Sequence, residues 1–229
     1  RESIPDWLDE LGEQALGNNL WTKEIAALNK QAEVILRTNT LKIKKTQLQA
    51  LLAENEIETI PIEGYPDALK LKERKNVFTT EAFKNGFFEV QDASSQLVAP
   101  FLEVEPGQRV VDACAGAGGK TLHMASKMEN KGQLIALDIY ESKLKKLKIR
   151  TRRNGVYNVE TRAIDSTKVI KKLYNSADRL LLDAPCSGLG VLRRNPDSKW
   201  KLEPEFIERI MGVQQEILQN YSKMVIKGG

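Results

Sequence analysis

Ten consecutive residues, Asp112 to Thr121, read D-A-C-A-G-A-G-G-K-T and form a turn that suits close approach of a ligand to the backbone. Three ligands compete for it. A phosphate loop of the form G-x-x-x-x-G-K-[ST] would end correctly in Gly119-Lys120-Thr121, but its first glycine falls on Cys114. A dinucleotide loop, G-x-G-x-x-G, finds its first pair in Gly116 and Gly118, whereas Gly119 comes too early to be the third glycine. The third candidate is S-adenosylmethionine, whose aminoacyl end needs close backbone approach and whose ribose diol needs an acceptor. Asp138, nineteen residues after Gly119, offers that acceptor.

A second segment, L-L-L-D-A-P-C-S-G-L-G, brings Cys186 directly after Asp183-Ala184-Pro185. Carbon-5 of a pyrimidine has no lone pair, so methylating it requires a nucleophile that adds to carbon-6, and a thiolate suits that role. Cys186, flanked by proline, serine and glycine, reads as a working thiol. Cys114, inside the turn, reads as structural. His123 is the only histidine and is expected to pack.

The elements that would hold these residues fall into two patterns. Up to Phe88 or so, types mix: helices near Trp7 to Leu16 and Lys23 to Ala32, a strand in V-I-L-R-T-N, a helix carrying Leu48, Leu51 and Leu52, and short strands in E-T-I-P-I and F-F-E-V-Q. From Asp92 a helix with Leu97, Val98, Phe101 and Leu102 on one face leads into the strand R-V-V-D. Strands at Gln133 to Asp138, Val159 to Ala163 and Arg179 to Asp183 then alternate with helices near Glu141 to Asn154, Thr167 to Tyr174 and Pro204 to Val225. Strict alternation predicts an α/β fold with a doubly wound parallel sheet, preceded by a small α+β domain. The expected division is 1–91 and 92–229. Ligands of such sheets sit at the carboxyl ends of the strands, where Asp112, Asp138, Asp165 and Asp183 fall.

Composition narrows the classes. The 229 residues carry 35 Lys+Arg against 31 Asp+Glu, a net +4, at 41% hydrophobic and 29% charged, which is globular. No apolar run approaches the ~20 residues of a membrane span, and two cysteines suggest neither a disulfide scaffold nor secretion. A cytoplasmic protein without a metal is expected. Seven of the eleven residues from Lys143 to Arg153 are basic, and Arg193, Arg194, Lys199 and Lys201 form a second group beside Trp200. Both are candidates for phosphate contacts. The bland reading of the first is a solvated helix face, and Trp200 is expected to pack its loop.

Together, D-A-C-A-G-A-G-G-K-T, the positions of Asp138 and Asp165, D-A-P-C-S-G-L-G and R-R-N-P-D-S-K-W resemble the Sun family of RNA cytosine-5 methyltransferases. L-R-T-N-T-L-K (Leu36 to Lys42) and F-E-V-Q-D-A-S-S-Q (Phe88 to Gln96) extend the resemblance over nearly the whole chain. It implies a class I, Rossmann-like methyltransferase domain. Cys114, Ala115, Gly116, Ala117, Gly118, Gly119 and Lys120 would line the methionine end of S-adenosylmethionine. Asp138 would bind the ribose, Asp165 would lie near the adenine and Asp183 would border the transfer site. The segment before Asp92 would help hold RNA, ribosomal RNA by expectation, with Arg193, Arg194 and Lys199 contacting it.

The resemblance also departs from the residue-level reading. In the family the attacking cysteine belongs to a Thr-Cys pair on the strand after the long helix, and the cysteine matching Cys186 assists release of the product. This sequence opens on Arg and closes on Gly228-Gly229, just before that strand, so a piece of a longer enzyme is expected. Direct attack by Cys186 is the alternative within this chemistry. An RNA-binding module with an inactive methyltransferase fold, and a P-loop-like nucleotide hydrolase, are the alternatives outside it.

Overall fold

The computed structural model describes residues 3–229. In chain order its elements are α1 (Asp6–Leu16), α2 (Asn18–Leu28), β1 (Ile35–Thr38), α3 (Lys45–Glu54), β2 (Thr59–Ile62), β3 (Tyr65–Leu71), α4 (Glu81–Lys84), β4 (Phe88–Val90), α5 (Ala93–Gln96), α6 (Val98–Phe101), β5 (Arg109–Asp112), α7 (Gly119–Lys127), β6 (Gln133–Asp138), α8 (Glu141–Asn154), β7 (Val159–Ala163), α9 (Thr167–Lys171), β8 (Arg179–Leu181) and α10 (Pro204–Tyr221). They form two compact units: 3–32 with Pro185–Glu216, and Glu33–Ala184 with Ile217–Gly229.

The first unit packs Leu8, Trp21, Ile25 and Leu192 into a small core. Trp21 Nε1 donates to Asp9 Oδ1 at 2.7 Å, satisfying the indole's one polar group. Gly12 lies flat against the ring, where a Cβ would come within 2.2 Å of it.

The second unit contains both sheets. In the antiparallel one, of order β2-β3-β1-β4, Leu36, Leu69 and Phe88 pack on Leu48 and Leu52 of α3. β3 was not foreseen in the sequence, where Pro66, Asp67 and Lys70 interrupt the apolar pattern; pairing with both β1 and β2 secures it. The parallel sheet has the order β7-β6-β5-β8. Val110, Leu134 and Ala136 face a core built with Leu122, Met124, Leu144 and Leu147 of α7 and α8. Val111, Ile135 and Leu137 face the opposite core, with Ile170, Leu173 and Met224. Covering both faces explains why β5 and β6 read as continuous apolar runs. The expected doubly wound sheet and the small α+β region before it are both present.

Several boundaries differ from the sequence reading: α9, β8 and α10 end at Lys171, Leu181 and Tyr221 rather than at Tyr174, Asp183 and Val225. α2 begins at Asn18 rather than Lys23. The helix expected to bury Leu97 and Phe101 is two short pieces, α5 and α6, with Gln96 and Ala99 as their buried residues and Phe101 89% exposed. Phe101 lines an open groove with Leu180, Leu182 and Val225 instead. The compact units also cut across residue 91: Asn39 Nδ2 of the antiparallel-sheet region donates to the Asn154 carbonyl of α8 at 2.9 Å, one of several bonds that tie the sheets together. Among the described residues no helix is long and apolar enough to cross a membrane.

Candidate functional site

Parallel strands end at one edge, so the four aspartates come to the same side of the sheet. Asp112 ends β5 and Asp138 ends β6; Asp165 and Asp183 follow β7 and β8 by two residues. β5 is the switch point, with β6 on one flank and β8 on the other, and a crevice opens there in sheets of this kind.

The glycine turn stands in that position. Gly116 and Gly118 have φ of 56° and 87°, a region open to glycine at little cost. Gly118 precedes α7 and closes the turn by donating its N–H to the Ala115 carbonyl at 2.9 Å. A Cβ at Gly118 would strike Leu147, whereas one at Gly116 or Gly119 would meet no atom within 4 Å. The turn thus presents bare backbone to open space at the start of a nine-residue helix, whose first N–H groups lack partners within the helix and favour an anion.

Asp138 is buried and accepts from two backbone N–H groups, Gly116 at 2.8 Å through Oδ2 and Tyr140 at 2.7 Å through Oδ1. Each carboxylate oxygen retains a second lone pair, so the residue that shapes the turn can also accept from a ligand diol. Asp183 is exposed and ion-paired with Lys120 Nζ. Asp165 is exposed and accepts from Ser166 Oγ at 3.0 Å. Asp112 is buried and accepts from Thr121 Oγ1 at 2.7 Å; burial pushes its pKa up to about 7. Burial, reinforced by the charges of Asp112, Asp138 and Asp183, raises the Cys114 thiol to about 11. A thiol so disfavoured as thiolate agrees with a structural role. Cys186 is exposed in the first unit.

His123 packs as expected: it is buried, its Nε2 lies 3.4 Å from Asp67 Oδ2, and burial lowers its pKa to about 4. The basic helix divides. Arg150 and Arg153 are turned inward onto Glu89, with Arg150 Nη2 at 2.9 Å from Oε2, and Arg153 lies 3.9 Å from the centre of the Phe83 ring. These two are structural, which corrects the reading of the whole segment as either phosphate contacts or solvated face. Lys143, Lys145, Lys146, Lys148 and Arg152 stay exposed.

In the first unit, Arg193 donates to the carbonyls of Lys30 and Gln31 at 3.2 and 2.8 Å. Arg194 is on the surface of the same loop. Lys199 is only 7% exposed, whereas Trp200 is 59% exposed, so the expected packing residue faces solvent and the expected phosphate contact is covered. The two follow one another in a short 3-10 turn, Pro196–Trp200, with Lys199 Nζ 5.7 Å from the centre of the Trp200 ring.

Sequence reasoning passed over Arg37, Glu89 and Gln91. Arg37 is buried in β1 and its Nη1 donates to Gln91 Oε1 at 2.6 Å and to the Gly119 carbonyl at 2.7 Å. Arg150 Nη1 donates to the Ala117 carbonyl at 2.6 Å. The signal available was the presence of Arg, Glu and Gln inside apolar strands, in L-R-T-N and F-E-V-Q.

Comparison with known proteins adds the family. A model described as 16S rRNA methyltransferase RsmB/F matches residues 99–229, and one described as an RsmF/B-like ferredoxin-like domain matches residues 4–78. The probable ribosomal RNA small subunit methyltransferase B of Synechocystis sp. is 37% identical over 99% of this chain and 51% of its own length. The corresponding enzyme of Klebsiella pneumoniae is 35% identical over 93% and 49%. The chain therefore spans about half the length of the curated relatives it matches. The crystal structure of PH0851 superposes with a TM-score of 0.95 at 33% identity, covering all of this chain and 52% of that one. With the parallel sheet, the glycine turn and the antiparallel sheet all in place, the chain belongs to the RsmB/F family of 16S rRNA methyltransferases, the Sun family.

Proposed function

We propose that the protein transfers a methyl group from S-adenosylmethionine to carbon-5 of a cytosine in ribosomal RNA. The observation that carries the cofactor assignment is the turn itself: Gly116 and Gly119 leave open the space a Cβ would enter, and Asp138, tied to Gly116 N–H, ends the neighbouring strand. In this reading the backbone from Cys114 to Lys120 receives the aminoacyl end, Asp138 accepts from the ribose, and Asp165 and Asp183 flank the adenine and the transfer site. S-adenosylmethionine supplies an electrophilic methyl on its sulfonium.

The chain's own residues bind, orient and carry protons. The target base must leave its stack to be reached. Cys186, the exposed thiol, is assigned to release of the methylated product. Arg193 and Arg194, both on the surface of the loop, are the candidate RNA contacts, and Lys199, being buried, is no longer one of them. Family membership supports an RNA substrate, and the cytosine chemistry rests on the resemblance of D-A-P-C-S-G-L-G.

The test has two stages. Calorimetric titration of the 229-residue chain with S-adenosylmethionine, with magnesium-ATP as control, should give binding of the first alone. Binding of ATP would favour the nucleotide hydrolase, and salt-sensitive RNA affinity without cofactor binding would favour the inactive RNA-binding module. In a full-length enzyme, Cys186→Ala should accumulate a covalent RNA adduct; loss of methylation without an adduct would make Cys186 the attacking thiol.

A further inference from the structure

Two guanidinium groups from different elements converge on the back of the cofactor turn. Arg37, from the antiparallel sheet, reaches the carbonyl of Gly119; Arg150, from α8, reaches that of Ala117. The two carbonyls flank Gly118, the left-handed residue on which the turn pivots. Neither arginine is loosely held. Arg37 Nη1 is shared with Gln91, whose Nε2 in turn donates to Ser95 Oγ at 3.1 Å, while Arg37 Nε is buried without a partner among the described residues. Arg150 is completed by Glu89, a buried carboxylate that also accepts from Arg153 and Asn154. A buried ion is costly unless its partners are fixed, and here the fixed partners include two peptides of the ligand-facing turn.

The geometry of the peptide makes this consequential. A trans peptide points its N–H opposite its C=O, so anchoring the Ala117 and Gly119 carbonyls sets the directions of the Gly118 and Lys120 N–H groups. The first closes the turn onto Ala115. The second belongs to the first turn of α7, where N–H groups have no acceptor within the helix. Docking of the two sheets does not rest on this arrangement alone, because Asn39 Nδ2 also joins them through the Asn154 carbonyl at 2.9 Å without touching the turn.

We propose that Arg37 and Arg150 are positioning residues for the cofactor, holding the Ala117 and Gly119 peptides so that the turn is formed before the ligand arrives, with Gln91 and Glu89 as their anchors. The antiparallel sheet then serves the methyl-transfer site directly, besides any part it has in holding RNA. This rests on the assignment of S-adenosylmethionine to the turn.

The experiment compares Arg37→Gln, Arg150→Gln, Arg150→Lys and Asn39→Ala in the 229-residue chain, by thermal unfolding, calorimetric titration with S-adenosylmethionine and amide exchange of the free protein. Each Arg→Gln change should raise Kd about tenfold, the scale of one charge-assisted hydrogen bond. Amide exchange at Gly118 and Lys120 should accelerate in both. Arg150→Lys, which keeps one donor, should recover part of the affinity, and Asn39→Ala should stay within about twofold of wild type even where its Tm falls comparably. Should Arg37→Gln fail to fold, Arg150→Gln, at a partly exposed position, carries the same comparison. Affinity that follows Tm alike in all variants, or turn exchange unchanged in the arginine variants, overturns the proposal. Absence of binding by wild type overturns the cofactor assignment instead, and this proposal with it.

Discussion

Gly118 lies against Leu147 so closely that a Cβ built on the glycine would stand 2.1 Å from Leu147 Cδ1, and its φ of 87° is itself unfavourable for any side chain. Gly118→Ala should therefore destabilise the fold by about 2–4 kcal/mol, combining overpacking with the left-handed penalty. Gly119 is the opposite case, with ordinary φ and open space before it. Gly119→Ala should leave stability within about 1 kcal/mol of wild type while weakening S-adenosylmethionine binding. Thermal melts beside calorimetric titrations check both, and full affinity in Gly119→Ala would remove the ligand from this turn.

Asp138 holds two backbone N–H groups as well as its proposed ribose. Asp138→Ala strands the N–H groups of Gly116 and Tyr140. A loss of about 1–3 kcal/mol in stability is expected together with weaker cofactor binding. Denaturant unfolding and titration of the same preparation separate the two, and unchanged cofactor affinity would refute the ribose role.

Asp112 should make stability depend on pH. Its folded pKa of about 7 lies above the ordinary 3.8, so between those values the folded state holds a proton that the unfolded chain has released. Stability contributed by the protonated group is complete below about pH 4 and is lost as pH rises toward and through 7. Asp112→Asn keeps an acceptor for Thr121 and cannot ionise. The variant should match wild type near pH 4 and exceed it at pH 8 by up to about 4 kcal/mol. His123 acts in both proteins and cancels in the difference. Denaturant curves at pH 4.5, 6 and 8 decide the matter, and parallel curves would contradict it.

The two thiols should differ sharply toward an alkylating reagent. Cys114 is partly buried with its pKa pushed up to about 11, and Cys186 is exposed. At pH 8, one equivalent of iodoacetamide should be taken up at Cys186, and Cys186→Ser should abolish the fast phase. Peptide mass mapping that finds Cys114 labelled first would mean the turn opens in solution.

Much of this protein is legible along the chain. β6, β7 and α8 fall where the sequence pattern puts them, because alternation of strand and helix is a local property and, for β6, burial on both faces leaves a continuous apolar signature. The glycine turn and its four strand-end aspartates are likewise local features, and their convergence follows from parallel strands sharing one edge. What sequence could not supply was the partner of each polar residue. Arg37 and Gly119 are 82 residues apart, Arg150 and Glu89 are 61 apart, and nothing in a basic helix distinguishes the two arginines that turn inward from the cations that stay in water. Burial of Lys199 and exposure of Trp200 were equally hidden, since a short 3-10 turn carries no periodic stripe to read. Charge type is written in the sequence, but whether a charge is spent on a fold or kept for a ligand is settled by desolvation, which depends on contacts formed only when distant segments pack.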